Sequence, residues 1–260
     1  MINKNIATLI LTLLISTQIK ADYLSWKEIE KRAKAENINT KALSHIQCFF
    51  EKHESTVFQK KISYGGTQDR CSGSSDITLD KKRVFALIDY TVSSDDRRMF
   101  LIDRETGAIS KMAVAHGRYN ASMINTHLSQ NKNSVKWAKY FSNELGSNAP
   151  SSGFFVSGVE YEGKFGRSMV LHGLEEGIND NACQRAVVVH KHLMVTKSSA
   201  HLLSAGCPMI SKDYIDHVIN LLEGNYNPDN GVETNGSVVF IYGEREKNWA
   251  ASTCNGNFSL

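Results

Sequence analysis

The sequence has no excess of charge of one sign: 30 Lys and Arg face 27 Asp and Glu, for a net +3 at pH 7. That balance supplies neither the basic field of a nucleic-acid binder nor a polyanionic surface, so nucleic acid is not expected as a partner. Heptads, internal repeats and low-complexity tracts are missing, which excludes coiled coils, solenoids and fibrous proteins. No Cys-x-x-Cys pair or helical His pair marks a zinc site. Long apolar runs are missing as well, except at the start of the chain. What is present is 260 residues with 41% hydrophobic content, enough for a compact enzyme or binding module with a core of its own.

The one apolar run, Ile6 to Ile15, follows Lys4 and ends before Ala21. It is well short of the roughly 20 residues that span a bilayer, and its flanks suit a secretory signal cleaved after Ala21, with a retained anchor as the alternative. The reading is therefore a signal peptide over 1–21, an exported protein of the periplasm or cell envelope, and no stable membrane insertion after cleavage. Export changes the meaning of the five cysteines, because thiols pair in an oxidising compartment and an odd number leaves one over. Pairing Cys48 with Cys71 and Cys183 with Cys254 is one arrangement among several, and it leaves Cys207 free.

Trp26 to Ala35 and Thr40 to His53 carry apolar residues at helical spacing. Gly65, Gly66 and Ser72 to Ser75 read as loop, making 22–80 a helical N-terminal extension to a main domain over 81–243, with a tail at 244–260. From Val84 the period shortens. Val84 to Tyr90, Arg98 to Asp103 and Ile109 to Ala115 form a hairpin or meander, followed after a long polar excursion (118–142, helical around Val135 to Phe141) by strands at Gly153 to Tyr161, Ser168 to His172, Ala186 to His190 and Ser237 to Tyr242. One helix stands between the last two, with Ser211 as its N-cap, Tyr214, Ile215, Val218, Ile219 and Leu222 on its apolar face, and Gly224 past its end. The fold class is mainly β with helices, an α+β domain rather than a parallel α/β sheet.

The chemistry points to Ser204-Ala-Gly-Cys207-Pro208 and the strand-end His190. An imidazole facing a loop thiol can take its proton and then stabilise the thiolate, and Gly206 lets backbone N–H groups turn toward a reacting carbonyl as an oxyanion hole requires. His116-Gly117 and Ser151-Ser152 read as turn chemistry.

His190, Ser204 and Gly206-Cys207 together resemble the His…Ser-x-Gly-Cys signature of the L,D-transpeptidase (YkuD-like) class. The surroundings are similar to its murein L,D-transpeptidase catalytic-domain branch: Phe85-Ala-Leu-Ile-Asp-Tyr90, Val114-Ala-His116-Gly117, Ser151-Ser-Gly-Phe154, Gly173-Leu-Glu175, Asn179-Asp-Asn-Ala182, Arg185-Ala-Val-Val-Val-His190 and Gly206-Cys-Pro208, within residues 83–243. The resemblance implies a β sandwich or barrel acting on peptidoglycan stem peptides without a cofactor. It makes Cys207 the nucleophile and His190 the general base, with Ala205, Gly206 and Cys207 as oxyanion donors and Ser204 orienting the loop. Attack at the L-centre of the third stem residue releases the terminal D-Ala and leaves a thioester. An amine then takes the acyl group in a 3→3 cross-link or D-amino acid exchange, or water takes it in L,D-carboxypeptidase action. The chain departs from the class at Ala205, where His is usual, at Pro208 and Met209, where Arg follows closely, and at Lys191, where the branch has Gly.

His172 and Arg185 are candidate substrate-binding residues, the second through bidentate hydrogen bonds to a stem-peptide carboxylate. Two other classes compete: a metallopeptidase with zinc on some of His172, His190, His192, His201 and Cys207, and a non-catalytic wall-binding module on the same fold.

Overall fold

The computed structural model describes residues 23–62, 73–119, 132–227, 232–250, 254–256 and 258, so the expected signal peptide at 1–21 lies outside the described residues. Two helices open the chain, α1 (Trp26–Ala35) and α2 (Thr40–His53). Each begins where a short polar side chain satisfies amides that the first helical turn leaves unpaired: Glu28 N–H donates to Ser25 Oγ at 3.2 Å, and the Lys41 and Ala42 N–H groups donate to Asn39 Oδ1 at 3.1 and 3.3 Å. Their apolar faces, Ile29 and Ala33 with Leu43, Ile46, Phe49 and Phe50, are buried.

Strands β1 (Phe58–Ile62) and β2 (Gly73–Ile77) form a separate antiparallel pair, Phe58 opposite Ile77. The loop expected at Ser72 to Ser75 is therefore a strand from Gly73 onward: cross-strand pairing overrides the weak β preference of Gly and Ser. Gly65 and Gly66 lie outside the described residues. The main sheet has nine strands, β3 (Val84–Asp89), β4 (Met99–Asp103), β5 (Ile109–Met112), β6 (Val114–Ala115), β7 (Gly153–Gly163), β8 (Gly166–Gly173), β9 (Val188–Lys191), β10 (Met209–Ile210) and β13 (Val238–Tyr242), in the spatial order β5-β4-β3-β13-β7-β8-β9-β10-β6. A short pair, β11 (Asn225–Asn227) with β12 (Val232–Thr234), leads into β13, and α4 (Glu244–Lys247) follows it. The expected meander is β3-β4-β5. Among the strands of the described residues, β13 with β3 and β9 with β10 run parallel and the other pairs antiparallel.

Alternation along the strands divides the core. Phe85, Leu87, Phe154, Val156 and Phe240 face α1 and α2, whereas Ala86, Ile88, Phe155, Val189 and Val239 face α3 (Ile215–Leu222). The central strands are buried on both sides and so read as unbroken apolar runs.

Three local expectations change. Ser211 heads a turn, accepting from Asp213 N–H at 3.3 Å, and α3 starts one turn later behind Tyr214 without a side-chain cap. Val135 to Phe141 is not helical, because Asn133 organises it: Nδ2 donates to Gly117 and Tyr140 carbonyls, and Oδ1 accepts from the Lys139 and Tyr140 N–H groups. The disulfides differ too. Cys48 is bonded to Cys254, with Cα atoms 5.5 Å apart, and Cys183 is bonded to neither of them. The tail folds back onto α2, where Phe258 packs 5.6 Å from Phe49, and this proximity selects the partner of Cys48. Among the described residues no helix is long and apolar enough to cross a membrane.

Candidate active site

The site forms at one end of the sheet, where β9, β10 and β6 meet. Met209 pairs with His190 on one side and with Ala115 on the other. The loop before β10 is held from both flanks. Ser204 N–H donates to His116 O at 2.8 Å and Arg118 N–H donates to Ser204 O at 3.0 Å; His190 N–H donates to Pro208 O at 3.3 Å, next to Cys207. Within the loop Gly206 N–H donates to Ser204 Oγ at 3.0 Å. Gly206 sits at φ +126°, and a Cβ there would lie 2.8 Å from Ala149 O, so backbone conformation and space both require glycine.

Cys207 is a half-buried thiol in no disulfide, and its Sγ–H donates to Ala186 O at 3.3 Å. That carbonyl is aimed by a tight reversal: Ala186 N–H donates to Cys183 O and Val187 N–H to Ala182 O, with Ala186 at φ +54°. This is the helix-ending arrangement in which glycine usually takes the left-handed residue. An alanine here is a strained residue beside the thiol.

His190 is 3% exposed. Its Nδ1 lies 3.0 Å from Lys191 O, and a carbonyl only accepts, so Nδ1 carries the proton and Nε2 keeps its lone pair. The Phe165 ring, from the β7–β8 turn, stacks on the imidazole with centroids 4.4 Å apart. Burial holds the His190 pKa below the usual histidine value, the Lys191 carbonyl opposing and the His192 charge adding to it. The ring is thus a neutral base near pH 7.

Arg185 stands beside the loop but is engaged by protein groups: its Nη1 donates to Ser142 O at 2.6 Å and to Ser151 Oγ, and its Nη2 donates to Ala149 O at 2.5 Å. Burial lowers its pKa, and charge on Cys207 opposes that, which places sulfur and guanidinium within electrostatic reach. The structure therefore gathers Cys207, His190, Ser204, Ala205, Gly206 and Arg185. It does not bring His172 to them. His190 pairs with Ser168, four positions back along β8, about 13 Å at strand rise. His172 is 2% exposed under Gly158, where a Cβ would meet its Nε2 at 2.3 Å. Nor do His172, His190, His192, His201 and Cys207 converge: among the described residues no group of three or more His, Cys, Asp or Glu could hold a metal ion.

Sequence reasoning missed the support beneath the loop. Arg98 is fully buried, its Nε and Nη2 donating to Val114 O at 3.0 and 2.9 Å and its Nη1 to Val92 O at 2.9 Å. Its Nη2 also donates to His116 Nδ1 at 2.7 Å, which obliges His116 Nε2–H to donate to Ser134 O at 3.0 Å. Burial first, and the Arg98 charge second, push the His116 pKa down to about 3. The neutral His116 ring thus bridges Arg98, just ahead of β4, to Ser134 O, while the His116 carbonyl holds Ser204 N–H. The available signal was Arg98 at the mouth of an apolar strand. A second support joins buried Glu175 and Glu246 through Arg245, with Nη2 donating to Glu175 Oε2 at 2.7 Å; Ser152 Oγ donates to Glu246 Oε1 at 2.9 Å and Phe154 N–H to Glu175 Oε1 at 2.7 Å. This fixes the 151–154 segment from which Ser151 meets Arg185.

The chain matches the model of the YkuD_2 family, described as an L,D-transpeptidase catalytic domain, over residues 52–227. Among solved structures it is similar to the helical cell shape determining protein Pgp2 from Campylobacter jejuni, at 11% identity and a TM-score of 0.36, over 78% of this chain and 56% of that one. A point mutant of the same protein gives 15% identity and a TM-score of 0.36 over 77% and 56%. The chain spans little more than half the length of those structures. A search of curated proteins returns no match. The family match covers more than half of the chain, Cys207 and His190 included, and the chain therefore belongs to the YkuD_2 family of L,D-transpeptidase catalytic domains.

Proposed function

We propose that this protein is an exported, cysteine-dependent peptidoglycan enzyme that attacks a stem tetrapeptide at the L-centre of residue 3 and passes the acyl group from Cys207 to an amine. The observation that supports this is a thiol in no disulfide on a doubly anchored glycine loop, whose following strand pairs with that of His190, a buried neutral imidazole with Nδ1 committed to Lys191 O. Cys207 turns from Ala186 O and gives its proton to His190 Nε2; the thiolate adds to the amide carbon, and the imidazolium protonates the departing D-Ala nitrogen. Gly206 N–H is already bonded to Ser204 Oγ, so the Ala205 and Cys207 amides are the oxyanion donors, and Ser204 sets the loop geometry. Arg185, spent on three protein acceptors, stabilises the thiolate rather than gripping a substrate carboxylate. No cofactor takes part. The bonded Cys48, Cys183 and Cys254 support an oxidising compartment, periplasm or cell envelope, with a signal peptide at 1–21, an N-terminal extension at 22–80, the catalytic domain at 81–243 and a tail at 244–260.

The test is incubation with defined tetrapeptide muropeptides, read by mass spectrometry. D-Ala release and a mass adduct on the wild type, absent in Cys207→Ala and reduced on the order of 10²-fold or more in His190→Ala, is the expected result. Dimers or exchanged stems identify an amine acceptor, and tripeptides identify water. An intact tetrapeptide with both wild type and Cys207→Ala, in protein that still sediments with sacculi, would replace the enzyme with the wall-binding module.

A further inference from the structure

We infer that Phe165 is a positioning residue for the base: its ring clamps the face of the His190 imidazole, holds it in one orientation and keeps water off it. The inference rests on the cysteine–histidine reading above and adds a residue, outside that pair, on which the chemistry depends. Lys164 and Phe165 form the two-residue tip of the hairpin between β7 and β8, with Gly163 opposite Gly166. Gly166 sits at φ +82°, and a Cβ there would lie 2.7 Å from Lys191 Cε, so glycine lets the tip close tightly against β9. The phenyl ring lies over the imidazole, with centroids 4.4 Å apart and planes 16° apart.

Exposure shows what this contact does. His190 is 3% exposed, whereas the ring that covers it is 48% exposed. A cleft of about 520 Å³ is lined by Phe165, Lys191, His192 and Leu193 among others, but not by His190. Phe165 is therefore the layer between the base and that cleft. The edge of the imidazole is fixed separately, by Nδ1–H donating to Lys191 O. A ring held by both edge and face keeps one orientation, with Nε2 as its basic atom. The phenyl face also attracts the imidazolium that forms once the thiol proton has been taken. Exclusion of water works in the opposite sense, and burial is the larger influence at His190. The residues paired with His190 from β8 and β10, Ser168 and Met209, carry no charge. The titratable groups around the ring are Lys191 and His192 on its own strand, Lys164 at the hairpin tip and Cys207 on the loop before β10. Substitution of Phe165 leaves all of them in place.

The test is heteronuclear NMR of the histidine rings in the full-length protein, which reports both the pKa and the tautomer of His190, alongside the kinetics of D-Ala release. In Phe165→Ala, water reaches the imidazole, so the His190 pKa should rise by at least about 0.5 toward the ordinary 6.5 and the Nε2–H tautomer should appear. Phe165→Leu keeps the cover and loses the aromatic face, so it should hold the Nδ1–H tautomer and lower the pKa. Phe165→Tyr should restore the wild-type pattern. In Phe165→Ala kcat should fall about ten- to a hundredfold with KM within about threefold of wild type. A wild-type pKa and tautomer in Phe165→Ala, or a rise in Phe165→Leu as large as in Phe165→Ala, would overturn the inference. A kinetic loss confined to KM would also overturn it, making Phe165 a substrate contact instead. Absence of D-Ala release by the wild type would remove the enzymatic reading while the NMR results still decided the role of Phe165.

Discussion

The His116 strut makes the protein sensitive to acid in a way that one substitution isolates. Buried against Arg98, His116 titrates at about 3 in the folded state instead of the ordinary 6.5. The folded chain stays neutral at this position while the unfolded chain takes up a proton, so the contribution is fully present above pH 6.5 and is lost as pH falls toward 3. The slope is about 1.4 kcal/mol per pH unit, or roughly 2 kcal/mol between pH 6.5 and 5. His116→Gln keeps an acceptor for Arg98 and a donor for Ser134 O but cannot titrate. Urea unfolding at pH 8, 6.5 and 5 should show the wild type losing about 2 kcal/mol more than the variant across the lower interval. His53 and His190, whose folded pKa values are also lowered by burial, contribute equally to both proteins and cancel. Because His116 O holds Ser204 N–H, iodoacetamide labelling of Cys207 should change over the same pH range in the wild type beyond the change seen in the variant. Parallel stability profiles for the two proteins would refute a buried neutral His116.

Gly206→Ala must adopt φ +126° with its Cβ 2.8 Å from Ala149 O, so it should cost about 1–3 kcal/mol in thermal unfolding and abolish rapid labelling of Cys207; wild-type behaviour in both would contradict the loop geometry. Arg245→Met leaves Glu175 and Glu246 buried without their shared cation, a loss of about 3–5 kcal/mol. Burial already raises the Glu175 pKa and Arg245 opposes it, so the variant raises it further, and stability should fall as pH climbs above the ordinary 4.5. A melting-temperature deficit that is smaller at pH 5 than at pH 8, and partly restored by adding Glu175→Gln, checks this; an equal deficit at both pH values counts against it.

Much of the fold was legible because its signals are local. The apolar spacing of Trp26 to Ala35 and Thr40 to His53 reproduces α1 and α2 to the residue, and Val84 to Met112 forms the expected meander, whereas Val114 and Ala115, read as part of its last strand, pair with β10 at the other edge of the sheet. Failures occurred where a distant partner decides. Gly73 to Ser75 is a strand only because β1 lies beside it. Val135 to Phe141 has helical spacing, yet Asn133 supplies hydrogen bonds that a helix would otherwise make internally. His172 and His190 look alike in sequence, each near a strand end, but strand register puts one beside the thiol loop and the other beneath Gly158.

By itself the sequence determined the periodicities, and with them the first two helices and the doubly buried strands, because these depend on residues close in the chain. Only the tertiary structure decided that Cys48 reaches Cys254, that Gly206 N–H is spent on Ser204, that Arg185 is tied to three protein acceptors, and that His116 is a neutral strut. Each of those outcomes is set by which groups exclude water from one another, and that follows from packing between segments far apart in sequence.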